Sequence, residues 1–107
     1  PTSSLPDDVH SPQNAPVVSI TKPSPMESYA LADKIFVSIS ASGRYPIAKV
    51  EYFLGNQFLG NTTNFPFLFS FIPADIGNIQ LGENTLRVVV YDTVLNKTER
   101  TVPIVIQ

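Results

Sequence analysis

The stretch Lys49-Val50-Glu51-Tyr52-Phe53-Leu54-Gly55-Asn56-Gln57-Phe58-Leu59-Gly60 decides the fold. Val50, Tyr52 and Leu54 alternate with Lys49, Glu51 and Phe53, the period-two pattern of a strand with one buried face. Gly55-Asn56 follows at once, and both residue types tolerate the positive φ that a tight hairpin turn demands. Phe58-Leu59 begins the return strand, and Gly60 to Asn64 is a polar break.

The same alternation recurs on both sides of this hairpin. Val17, Val18 and Ile20 form a short first strand, closed by Pro23-Ser24-Pro25. Ile35, Val37 and Ile39 alternate with Phe36, Ser38 and Ser40, and Ser42-Gly43 ends that strand. After Phe65-Pro66, Phe67, Phe69 and Phe71 occupy one face, with Leu68 and Ser70 on the other, until Pro73 stops the run. The segment from Ala74 to Gly82 reads as a loop with room for one helical turn. Leu86, Val88 and Val90 then alternate with Arg87, Val89 and Tyr91, and Asp92 to Asn96 forms a turn. Val102, Ile104 and Ile106 close the chain as a strand. Pro103 within it places part of that strand at a sheet edge, because proline donates no ladder hydrogen bond. Seven short β segments with turn signals roughly every ten residues predict an all-β sandwich or barrel. The phenylalanine stripe favours a sandwich, since so thick an apolar face needs a second sheet to cover it.

The chain has 107 residues, enough for one domain and one core. Pro1, Pro6 and Pro12, with Pro16 just beyond, make residues 1–15 a Pro-rich linker leading into a folded domain at residues 16–107. Charged residues are only 15% and the net charge is −2, without a basic stripe, so phosphate neutralisation cannot drive nucleic-acid binding. No cysteine is present, which rules out a disulfide scaffold, a zinc-thiolate centre and a thiol nucleophile. No apolar run approaches the roughly 20 residues of a membrane helix, so direct membrane insertion is not expected. The abrupt, linker-like start reads as a piece of a larger protein whose targeting segment lies elsewhere.

Catalytic chemistry finds little purchase. His10 is the only histidine and falls in the linker. No Gly-x-Ser-x-Gly elbow and no phosphate-cradling glycine loop occur. The carboxylates Asp7, Asp8, Asp33, Glu51, Asp75, Glu83, Asp92 and Glu99 fall mostly in turns, where solvation suits them better than paired acid–base work. No catalytic residue and no cofactor are therefore expected. A weak calcium site is the one metal candidate: Asp92 and Asn96, joined by Asp7 or Asp8 if the linker folds back, offer oxygen ligands. The competing role for Asp92 is that of a turn-former bonding nearby backbone amides. Phe53 and Tyr91 alternate away from the core and would share a face if their strands are neighbours, which makes them the binding-surface candidates.

The order of these features resembles the bacterial immunoglobulin-like domains. It rests on Pro16 to Ile20 with Pro23, Lys49-Val50-Glu51-Tyr52-Phe53-Leu54-Gly55, Phe58-Leu59-Gly60, Phe65-Pro66-Phe67 and Leu86-Arg87-Val88-Val89-Val90-Tyr91-Asp92. The resemblance implies an immunoglobulin-like antiparallel β-sandwich of about seven strands. It departs at Leu95, where family members often carry glycine before the asparagine of the last turn. Such domains are usually appended to secreted or surface bacterial proteins. Asp7-Asp8-Val9-His10 followed by Asn14-Ala15-Pro16 is similar to the junction before the C-terminal module of some penicillin-binding proteins. The resemblance thus implies a non-catalytic accessory module of an extracytoplasmic protein, at the cell surface, in the periplasm or secreted. It would act as a spacer or as a docking domain for other domains of the parent, peptidoglycan or envelope proteins. The alternative is a carbohydrate-binding module using surface aromatics.

Overall fold

The computed structural model describes residues 14–107. Eight strands follow one another: β1 Val17–Lys22, β2 Glu27–Tyr29, β3 Ile35–Ser42, β4 Ile47–Leu54, β5 Gln57–Thr62, β6 Phe69–Phe71, β7 Gly82–Asp92 and β8 Lys97–Ile106. A single 3₁₀ turn, Pro73–Asp75, sits between β6 and β7. The strands form two sheets, β1-β3-β6 and β2-β8-β7-β4-β5, packed as a sandwich. All pairings are antiparallel except β2 with β8. No helix among the described residues is long and apolar enough to cross a membrane.

The alternating pattern places the core where it was expected. Ile35, Val37, Val50, Tyr52, Leu86, Val88 and Val90 are essentially inaccessible to solvent between the sheets. Val102, Ile104 and Ile106 of β8 join them from the large sheet. The hairpin between β4 and β5 turns on Gly55-Asn56, with Leu54 opposite Gln57. Only Gly55 of the two has positive φ (60°), the sign pattern of a type II′ turn.

Two features differ from the seven-segment reading. The first is β2, a three-residue strand with no apolar alternation to betray it. The chain leaves the small sheet after Lys22 and crosses at Pro23; Glu27–Tyr29 then pair with Ile104–Ile106 of the large sheet. The initial strand is therefore split between both sheets. The amide of Met26 donates to the Pro103 carbonyl at 2.6 Å, and that of Gln107 to Tyr29 at 2.8 Å. A residue's N and O lie on the same side of a strand, so the imide nitrogen of Pro103 faces β2 and not β7. That leaves the β7–β8 ladder intact.

The second is the phenylalanine run. Phe67 is buried but precedes β6 and holds positive φ (60°), so only Phe69–Phe71 is strand. The reason is Tyr52. Its buried hydroxyl donates to the Phe67 carbonyl at 2.6 Å and lies 3.0 Å from Thr62 Oγ1. Its ring stacks on Phe69, centroids 4.3 Å apart and planes within 5°. Phe69 in turn covers Gly60, where a Cβ would lie only 2.9 Å from the ring. One tyrosine of the large sheet thus ties the small sheet to it through a hydrogen bond and a ring stack, over a glycine that leaves room for both.

Candidate functional site

The outward face of the large sheet holds the aromatic candidates. In β4 the residues Lys49, Glu51 and Phe53 point away from the core, as do Arg87, Val89 and Tyr91 in β7. The register sets Phe53 opposite Arg87, Glu51 opposite Val89 and Lys49 opposite Tyr91. Phe53 and Tyr91 therefore share one face, separated by four residues along the strands, about 13 Å at the usual strand rise. Val89 lies between them and is buried although it faces outward, flanked by Glu51 on β4 and Glu99 on β8.

Both rings are already occupied by cations of the same face. The Arg87 guanidinium lies 4.2 Å from the Phe53 ring centre and pairs with Glu99 at 3.2 Å. Lys49 Nζ lies 4.7 Å from the Tyr91 ring centre and 3.5 Å from Glu51. Phe58 of β5 packs edge-on against Phe53, centroids 5.4 Å apart. Burial, and then a hydrogen bond with Glu51, push the Tyr91 phenol above its ordinary range. The face is thus a self-satisfied ladder of cation–π and ion pairs. Each ring keeps at most one side for a ligand, and the 13 Å spacing puts two rings within reach of one extended partner.

The turn between β7 and β8 holds the other candidates. Asp92 is buried and its carboxylate is engaged on both oxygens. Oδ1 accepts from the backbone amides of Val94 and Asn96, at 3.0 and 2.9 Å, and Oδ2 accepts from Asn96 Nδ2 at 3.0 Å. The Asp92 amide donates back to the Asn96 carbonyl at 3.0 Å. This is the turn-forming role, with one carboxylate oxygen on backbone amides and the other on the Asn96 side chain. Among the described residues no group of three or more His, Cys, Asp or Glu converges. Asp7, Asp8 and His10 lie outside the described residues, as does the linker reading of residues 1–13. Leu95, where the family often has glycine, adopts positive φ (69°) and is exposed, so the turn conformation is the one glycine would prefer.

The entry of the chain is fixed at the same end. Asn14 and Pro16 are buried. The Pro16 carbonyl accepts from Thr98 Oγ1 at 2.6 Å, and Asn14 Oδ1 from Arg44 at 3.5 Å. Gly43 sits against Pro16, where a Cβ would come within 3.3 Å of its Cα.

Sequence reasoning missed two surfaces. Phe36, Phe65 and Leu68 are exposed, Phe65 at 86%, on the outer side of the small sheet and the loop before β6. Alternation placed Phe36 and Leu68 outward, but only the β3–β6 pairing brings them side by side. The second is a cleft lined by side-chain amides from the β4–β5 turn and the loop before β7. No sequence motif links those two segments.

Residues 16–88 match the family described as Bacterial Ig domain. Among curated proteins none matches the chain. Solved structures share the architecture at low identity. The fibronectin(III)-like modules of Clostridium thermocellum CbhA superpose with a TM-score of 0.72 at 21% identity, covering 84% of this chain and 94% of that one. A superoxide reductase (neelaredoxin) from Ignicoccus hospitalis gives 0.62 at 15%, covering 94% and 87%. SGBP-B of the Bacteroides ovatus mixed-linkage glucan utilization locus, solved with a mixed-linkage heptasaccharide, gives 0.55 at 14%, covering 88% and 24%. At these identities the likeness concerns the sandwich alone, and that sandwich also carries redox chemistry in the reductase. The family match spans more than half of the chain, and with the two-sheet architecture it shows that this protein belongs to the bacterial immunoglobulin-like domains.

Proposed function

We propose that this chain is a non-catalytic accessory module of an extracytoplasmic bacterial protein, acting as a spacer or as a docking domain for the cell wall or for neighbouring domains. The observation that carries this reading is the fixed chain entry. Pro16 is buried and its carbonyl is held by Thr98, so the chain is fixed to the sandwich from residue 16 onward. A module that positions a neighbour needs its first strand seated in this way, and Pro-rich lead-ins are semi-rigid spacers. The polar groups that looked most like a site, Asp92 and Asn96, are spent on the turn at that same end. Similarity to the fibronectin(III)-like modules of CbhA supports a modular role.

The lead-in Asp7-Asp8-Val9-His10 supports a penicillin-binding protein as the parent, which the full-length sequence tests: Ser-x-x-Lys and Lys-Thr-Gly motifs upstream would establish it. For docking, the parent is co-sedimented with purified sacculi, with and without residues 16–107. Loss of sedimentation on removal establishes docking. Unchanged sedimentation assigns the module to spacing. Turnover of a wall substrate by residues 16–107 alone would refute the accessory role.

The carbohydrate-binding alternative on the Phe53 and Tyr91 face is less supported, because Arg87 and Lys49 already cover one side of each ring.

A further inference from the structure

At the far end of β4 from the chain entry, the β4–β5 turn and the loop preceding β7 enclose an open cleft of about 500 Å³. Its polar lining consists of the side chains of Asn56, Gln57, Asn78, Gln80 and Asn84. Its apolar lining is Leu54, Ile76 and Ile79, the last two packed against the core. No ionisable side chain lines it.

That composition selects a ligand class. A carboxamide both donates and accepts, as a hydroxyl does, so Asn56, Gln57, Asn78 and Gln80 can satisfy a ligand rich in hydroxyls, while Asn84, whose amide protons go to Gln80 and Gly82, offers only its oxygen. A charged ligand would find no counter-charge there and would lose hydration without recompense. The volume falls in the range of small-molecule sites. The rim is also held in place before binding. Asn84 Nδ2 donates to the carbonyls of Gln80 and Gly82 at 2.9 and 3.1 Å, and Asn78 is set in the left-handed region at φ 61°. A rim already ordered loses less entropy on binding. The lining is turn, loop and strand ends, with no run of open strand on which a peptide could lay its backbone.

We propose that this cleft binds a neutral polyhydroxylated ligand, an oligosaccharide of uncharged sugars. The site is separate from the Phe53 and Tyr91 face, and it does not depend on the spacer or docking reading.

The test is an NMR titration of the ¹⁵N-labelled chain with cellohexaose, xylohexaose and mannohexaose, beside a galacturonate hexamer as charged control. At least one neutral hexamer should shift the side-chain amide signals of Asn56, Gln57, Asn78 and Gln80 saturably, with affinity near about 1 mM. Gln57→Ala and Gln80→Ala should each weaken that binding about fivefold, the loss of one or two hydrogen bonds, while the backbone spectrum stays that of the folded chain. The affinity should not change between about pH 5 and about pH 9, since nothing in the cleft titrates there. Absence of a saturable shift with all three hexamers at about 10 mM overturns the proposal. So do shifts centred on Phe53 and Tyr91, or equal binding of the galacturonate hexamer. Failure of sacculus binding by the parent leaves these signals unaffected, so the two readings fail separately.

Discussion

Replacing Tyr52 by phenylalanine keeps the ring stacked on Phe69 and removes only the hydroxyl. That hydroxyl makes a 2.6 Å bond to the buried Phe67 carbonyl and a 3.0 Å contact with Thr62 Oγ1. Deleting one partner of a buried pair strands the other, at about 1–3 kcal/mol, whereas the half-buried threonine can turn to water at about 0.5 kcal/mol. The expected loss for Tyr52→Phe is about 2 kcal/mol, a fall of roughly thirtyfold in the folding constant. It corresponds to about 10 °C in Tm for a domain of this size. Urea unfolding followed by circular dichroism reads it as a lowered midpoint at unchanged slope. Thr62→Val removes only the weaker contact and should cost about 0.5 kcal/mol. If Tyr52→Phe falls within about 0.3 kcal/mol of the parent chain, or if Thr62→Val matches it, the bond to Phe67 does not tie the sheets as described.

Gly60→Ala should cost about 1–3 kcal/mol, because the new methyl would meet the Phe69 ring at 2.9 Å, and Phe69→Leu in the same chain should recover part of it; additive losses in a denaturation cycle would refute the contact. Leu95→Gly should stabilise by about 0.5–1 kcal/mol, since glycine holds φ near 69° without the Cβ penalty and an exposed leucine is lost from the surface; an unchanged or lower Tm would contradict this. Asp92→Ala should destabilise by about 2–3 kcal/mol equally with calcium or with chelator. A calcium-dependent rise in Tm that Asp92→Ala abolishes would instead make the turn an ion site. Burial first, and then the bond with Glu27, push the Tyr29 phenol up to about 12, and burial raises Tyr52 and Tyr91 as well. The folded chain holds these protons more tightly than the unfolded one. Their stabilisation is therefore complete below about pH 10 and lost as pH climbs toward about 12. Denaturation midpoints that stay flat to pH 12 would refute it.

Much of the sandwich was legible because burial imposes alternation. Val50, Tyr52 and Leu54 in β4 and Leu86, Val88 and Val90 in β7 could face only one way once one side of the sheet was covered. Strand β2 was not legible. Glu27-Ser28-Tyr29 is too short and too polar to alternate, and it is a strand only because β8 offers it an open edge. Phe67 was legible as core but not as a left-handed residue, since its backbone is held by Tyr52, fifteen positions away. On the surface, Phe53 and Tyr91 were expected to share a face only if their strands were neighbours, and β4 does pair with β7. Their capping by Arg87 and Lys49 was invisible, because it depends on the β4–β7 register and not on spacing along either strand. The amide cleft was hidden for the same reason, being assembled from a turn and a loop some twenty residues apart.

With a penicillin-binding protein as the proposed parent, the accessory role is tested most directly by comparing its turnover with and without residues 16–107 on two forms of its substrate. A module that positions or docks, and contributes no reacting group, leaves kcat on a small soluble substrate unchanged while turnover of the insoluble polymer falls. A matching fall on the soluble substrate would place residues of this sandwich in the catalytic machinery and contradict the account.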